Sequence, residues 1–177
     1  MNRKIRIKCL NLIITAYALF AVLNSPAYSQ DKPKTTQHEV WIDCSVGAAL
    51  GDKYLNVVMG GLGASVQLYG PVFIGVRGAL AGNTFDDDKP KVTIHDAGGV
   101  VGVFSNSKDF RLAAGAGVSY ITAKYPDTDF FNVVGVPIEA GAWYCPNHVG
   151  FGLSAFCNLN SRITYYGLTI GAVVRFY

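Results

Sequence analysis

Beyond residue 29 this sequence holds no apolar run of the roughly 20 residues that a bilayer-crossing helix requires. Charge is also sparse, at 15% of all residues. The formal +3 is a property of the N-terminus, where MNRKIRIK carries Arg3, Lys4, Arg6 and Lys8 with no acid. All 12 acids lie beyond residue 29 against the 11 remaining of 15 basic residues, so that part carries a net −1. This leaves no basic surface for nucleic acid. Histidine occurs three times, as His38, His95 and His148, on separate segments with no zinc-type Cys/His spacing. No metal or other cofactor is expected. Beyond residue 29 the cysteines are Cys44, Cys145 and Cys157, an odd number that does not build a disulfide framework.

What is present begins with an export pattern. The basic start is followed by an apolar run from Cys9 to Leu23, then by NSPAYS with the small residues Ala27 and Ser29. Charged, apolar and small-x-small regions in this order predict a cleaved signal peptide over 1–29. The polar stretch 30–37 reads as a short linker, and 38–177 as one domain.

Across that domain the apolar residues recur with period 2, the mark of a strand with unlike faces. Eight such segments are predicted: 39–50, 58–69, 72–80, 92–104 (the least regular), 111–124, 133–144, 149–158 and 166–177. Turn residues separate them, as in GDK, YGP, GNTFDDDKP, SNSKD, PDTD, PN and NLNS. The last segment, YGLTIGAVVRFY, alternates almost to the final residue. Eight antiparallel strands joined by hairpins close into an up-and-down barrel, which leaves no unpaired edge. The last strand would then pair with the first.

One face of every segment is aliphatic or aromatic; the other carries most of the 20 glycines, with Trp41, Asp43, Ser45, Ser119, Ser154 and a few charges. A soluble lipocalin-like barrel binding a small apolar ligand would turn the aliphatic face inward. That alternative requires a charged, well-solvated outer face, and this polar face is instead rich in glycine. Eight strands leave an interior just wide enough for side chains. Glycine there makes room for Trp41, Phe73, Trp143 and Phe156. The expected class is therefore all-β: an eight-stranded antiparallel up-and-down transmembrane β-barrel.

With these segments, the leader and the final strand, the sequence resembles the small outer-membrane barrels of the OmpA/OmpX type over about His38–Tyr177. The resemblance implies a Gram-negative outer membrane, with lipid and lipopolysaccharide as surroundings. It also implies that the final strand is read by the barrel-assembly machinery, here through Phe176, with Tyr177 one residue beyond the usual ending. Two barrels of similar size are enzymes. The deacylase needs a His-x-Ser pair, absent here, and the palmitoyltransferase a helix before its barrel, which 30–37 cannot supply. A non-enzymatic role in envelope integrity or adhesion is the leading expectation, with a lipid-modifying enzyme as the remaining alternative.

Inward charges need partners, since an unpaired buried charge costs several kcal/mol. Asp43 is expected to pair with Arg175 across the first and last strands with Gln67 nearby, and Arg77 with Glu139 across the lumen. Tyr120 and Tyr166 are expected near the outer interface, and Tyr144, Phe151 and Phe176 near the periplasmic one, where amphipathic rings are favoured. Loops 82–91 and 125–132 would face outside. Cys44 and Cys157 would face lipid, with no disulfide between Cys145 and Cys157. The run Asp86-Asp87-Asp88 reads as solvated or as a cation bridge to lipopolysaccharide.

Overall fold

The structure is a computed structural model and describes residues 38–51, 56–83, 92–106, 109–125 and 128–177. The predicted signal peptide, the linker and Asp86-Asp87-Asp88 lie outside these residues.

The alternation produces eight strands: β1 Val40–Gly51, β2 Asn56–Tyr69, β3 Val72–Gly82, β4 Thr93–Asn106, β5 Phe110–Lys124, β6 Phe131–Tyr144, β7 Val149–Asn160 and β8 Tyr165–Phe176. Each pairs antiparallel with the next, and β8 pairs with β1, so the ring is closed. The pairing is staggered. Followed once round the wall from Val40, through Val66, Ile74, Val101, Ala116, Ile138, Cys157 and Tyr166, the ladder returns to β1 at Leu50. That offset tilts the strands and fixes how narrow the barrel is.

β2, β3, β6 and β7 each run two residues further than the sequence pattern predicts, always at the end away from the chain termini. There the sheet continues past the alternation, because both faces become mixed. β4 shows the cause of its irregular pattern: Val92 and Ile94 are buried inside while Ala97 and Val101 point out. Apolar residues on both faces erase the period.

The two ends differ. At the end where β1 begins, strands are joined by the short links 70–71, 107–109 and 145–148, and at the other by 52–55, 83–92, 125–130 and 161–164. Gly70 holds the tightest link with φ +53°, a left-handed value that favours glycine, and a register shift between Gln67 and Tyr69 precedes it.

Val, Ile and Leu point outward. Leu62, Val76, Val118 and Ile170 are each more than 60% exposed, while Trp41, Phe73 and Phe156 are buried within. A soluble barrel with an apolar interior cavity would reverse these faces. The glycines answer to the rings inside. Trp143 lies over two of them: a Cβ on Gly141 would come within 2.7 Å of its Cζ2, and one on Gly152 within 2.7 Å of its Cγ.

Candidate functional site: the lumen and the outer wall

The lumen is filled in three layers. At the short-link end, Trp41, Phe73 and Phe104 form an aromatic cluster with ring centroids 5.2–6.4 Å apart. The Arg111 guanidinium lies 4.3 Å from the Trp41 ring centroid and 4.8 Å from that of Phe104, and is ion-paired with Glu39. Both charges are buried. Rings above and a carboxylate beside it offset the loss of water around the guanidinium.

Arg175 belongs to this layer. Its Nε is 3.6 Å from Glu39, and its Nη2 donates to the carbonyls of Cys145 and Asn147 at 3.1 and 3.3 Å. The expected Asp43–Arg175 pair is therefore not formed. Asp43 faces Val173 across the seam, and Arg175 faces Trp41. With Trp41 opposite it, the guanidinium turns toward the β6–β7 link, where two backbone carbonyls accept its hydrogen bonds. Gln67 does not join the charges either: its Nε2 donates to the Gly70 carbonyl at 2.6 Å and so closes the β2–β3 turn.

The middle layer is polar. Arg77 Nη1 lies 2.9 Å from Glu139 Oε2, and its Nη2 lies 3.6 Å from Asp96. Asn158 donates to Asp96 at 2.9 Å and to the Ser119 hydroxyl at 2.8 Å, and the Tyr165 hydroxyl donates to Asp96. Asp43 lies over Gly63, whose place a Cβ would contest at 2.6 Å. Asp43, Arg77 and Glu139 border a cavity of about 90 Å³, room for a few waters.

The third layer, toward the longer links, is apolar: Met59, Ile94, Ile121, Phe156, Ile163 and Tyr165 pack together. Glu39, Asp96, Arg111 and Tyr165 are central to the lumen but were missing from the expected charge set. Glu39 and Arg111 lay at predicted strand ends, where a charge reads as solvated, and Tyr165 lay one residue before its predicted strand. Period 2 from Asp43 to Glu39 was the available signal for the first.

On the outer wall, Tyr144 packs with Phe110 at 5.1 Å and Phe151 at 5.7 Å, with Phe176 exposed at the same end. Tyr177 meets the His148 ring at 5.6 Å. Tyr120 points outward in the half nearer the longer links, and Tyr166 lies opposite Leu50 near that rim. Cys44 is exposed on this wall. Cys157 has the outward parity but is buried, flanked by Ile138 and Tyr166 on the paired strands, which corrects the expectation that it faces lipid. None of Cys44, Cys145 and Cys157 is in a disulfide among the described residues.

No protein-family model and no curated protein sequence matches the chain. Solved structures do. Neisserial surface protein A superposes with a TM-score of 0.62 at 14% identity, over 78% of this chain and 97% of that one. Ail of Yersinia pestis, solved with the heparin analogue sucrose octasulfate, gives 0.56 at 14% over 78% and 97%. The N-terminal barrel of Pseudomonas aeruginosa OprF gives 0.53 at 14% over 79% and 100%. With its ladder closed through β8 and β1, its apolar wall outward and its interior packed with side chains, the chain has the fold of the small eight-stranded outer-membrane β-barrels of the OmpA/OmpX type.

Proposed function

We propose that the chain is a non-enzymatic integral protein of a Gram-negative outer membrane, set in lipid and lipopolysaccharide. On this reading it presents the longer links, including 83–92 and 125–130, at the cell surface. The observation that carries the reading is the outward apolar face wrapped around a filled lumen. A belt of Val, Ile and Leu on every strand is costly in water and favourable in hydrocarbon. The filled lumen argues for a structural or surface-contact role over transport. Links of two to four residues at one end and of four to ten at the other match the periplasmic and outer sides of such barrels. At the outer end, Phe130 and Phe131 each lie beside a cation, Lys124 at 5.5 Å and Arg162 at 5.6 Å, a mixed surface suited to adhesion. Expressed in a Gram-negative host, the protein is expected in the outer-membrane fraction, resistant to carbonate extraction, with heat-modifiable gel migration. Release into the soluble fraction would overturn the proposal. Altered lipid A mass spectra on expression would overturn its non-enzymatic part.

A further inference from the structure

The outer wall is not uniform around the barrel. On β1, β2, β3, β7 and β8 the described outward side chains of the spanning rungs are apolar or glycine. On β4–β6, toward the longer links, they become Thr93, His95, Thr122, Lys124 and Asn132. The pairing makes a row of them: His95 is opposite Thr122, Thr122 is opposite Asn132, and Thr93 is opposite Lys124. The Thr122 hydroxyl donates to Asn132 at 2.8 Å. Lys124 lies near the Phe130 ring and makes no ion pair among the described residues.

Beside this row the wall is notched. A groove of about 620 Å³ runs between Leu62, Leu80 and Tyr120, over the backbone at Gly60 and Gly78, and ends at His95 and Thr122. These two glycines differ from those inside. A Cβ on Gly60 would come no nearer than 3.9 Å to another atom, and one on Gly78 no nearer than 4.0 Å. No ring presses on them. Their effect is to leave space on the apolar wall, bounded at its polar end by His95 and Thr122, with Lys124 two residues further along β5 on the same face.

We propose that this notch holds one phosphate-bearing, acylated lipid of the outer leaflet. An acyl chain lies over Gly60 and Gly78, and a phosphate is held by Lys124 and His95, beside the Thr122–Asn132 hydrogen bond. A cation at headgroup depth attracts an anionic lipid, and the apolar groove removes an acyl chain from contact with neighbouring lipids. This rests on the proposed membrane reading, with the longer links outside.

The test uses the whole refolded barrel in mild detergent, titrated with bis-phosphorylated lipid A and followed by native mass spectrometry. One retained lipid A per barrel is expected. Lys124→Gln should weaken retention about five-fold, and Gly78→Leu, which fills the notch without touching the phosphate site, should weaken it too. Lipid A stripped of its phosphates should bind the parent barrel about as weakly as intact lipid A binds Lys124→Gln. Equal retention by the parent and both variants would overturn the proposal, as would a dimer lost on Gly78→Leu with no lipid retained. A barrel that inserts into vesicles and shows heat-modifiable migration, yet retains no lipid A, defeats this inference alone. A protein that fails to insert defeats the membrane reading, and this site with it.

Discussion

At the scale of single residues, the interior is held by a few charges whose partners are fixed by the wall. Arg111 is enclosed by Trp41, Phe104 and Glu39, so removing it takes from a buried carboxylate its nearest cation. Arg111→Met is expected to cost about 3 kcal/mol, the lower end of the range for breaking a buried pair, because Arg175 remains 3.6 Å from Glu39. Glu39→Gln in the same chain should recover most of that loss. The urea midpoint of the heat-modifiable band measures both, and equal losses in the single and double variants would show that Arg111 does not hold Glu39. Glycine gives a second case. The three atoms nearest a Cβ on Gly141 all belong to the Trp143 ring, so Gly141→Ala must shift that ring. The expected cost is about 1–3 kcal/mol, as for overpacking elsewhere, together with a change in tryptophan fluorescence. Trp143→Leu should relieve the cost, and an unchanged spectrum and midpoint in Gly141→Ala would place the ring elsewhere.

At the scale of elements, the strands were legible because each separates two environments and the side-chain period is 2. Their number, order and outward face follow from that alone. Their loop-side ends did not, because past the apolar belt nothing forces the faces to differ: β4 carries Ile94 inside, just after the buried Val92, and β2 carries Met59 inside. The seam shows the second limit. Parity placed Asp43 and Arg175 on one face, but a face is not a register. A pairing shifted by two residues leaves every side chain on its side while changing each partner. Cysteine pairs decide between the registers. Ile42 lies opposite Val174, whereas pairing Asp43 with Arg175 would put Ile42 opposite Phe176. In a background free of native cysteine, Ile42→Cys with Val174→Cys should form the disulfide in the folded barrel, and Ile42→Cys with Phe176→Cys should not. The reverse result would restore the Asp43–Arg175 pairing. Arg77 and Glu139 were found because both lay mid-strand on the inward face, where a charge has few places to go.

At the scale of the whole molecule, three unlike layers block the axis, and their redundancy leads to a prediction about permeation. The aromatic layer around Trp41 and Phe73, the polar layer around Arg77 and Asp96, and the apolar layer around Ile94 and Phe156 each span the lumen. A cavity of about 90 Å³ runs beside all three, lined by Trp41 and Phe73, by Arg77 and Glu139, and by Met59 and Phe156. Reconstituted in planar bilayers, the protein should show no sustained ion conductance. Phe156→Ala opens only the outer layer. It should cost about 3–5 kcal/mol, as a buried phenylalanine does on truncation, and still leave the bilayer sealed, because the ion would next meet Arg77 with Asp96 and Glu139, then the rings. Trp41→Ala acts at the other end with the same logic. Phe156→Ala and Trp41→Ala together thin both flanking layers and leave the polar layer as the one intact seal, whose groups solvate an ion instead of repelling it. Conductance should therefore appear in the double variant and in neither single one. A steady open channel in the parent protein would show that the layers do not seal the lumen, and would return the inward charges to the role of a path.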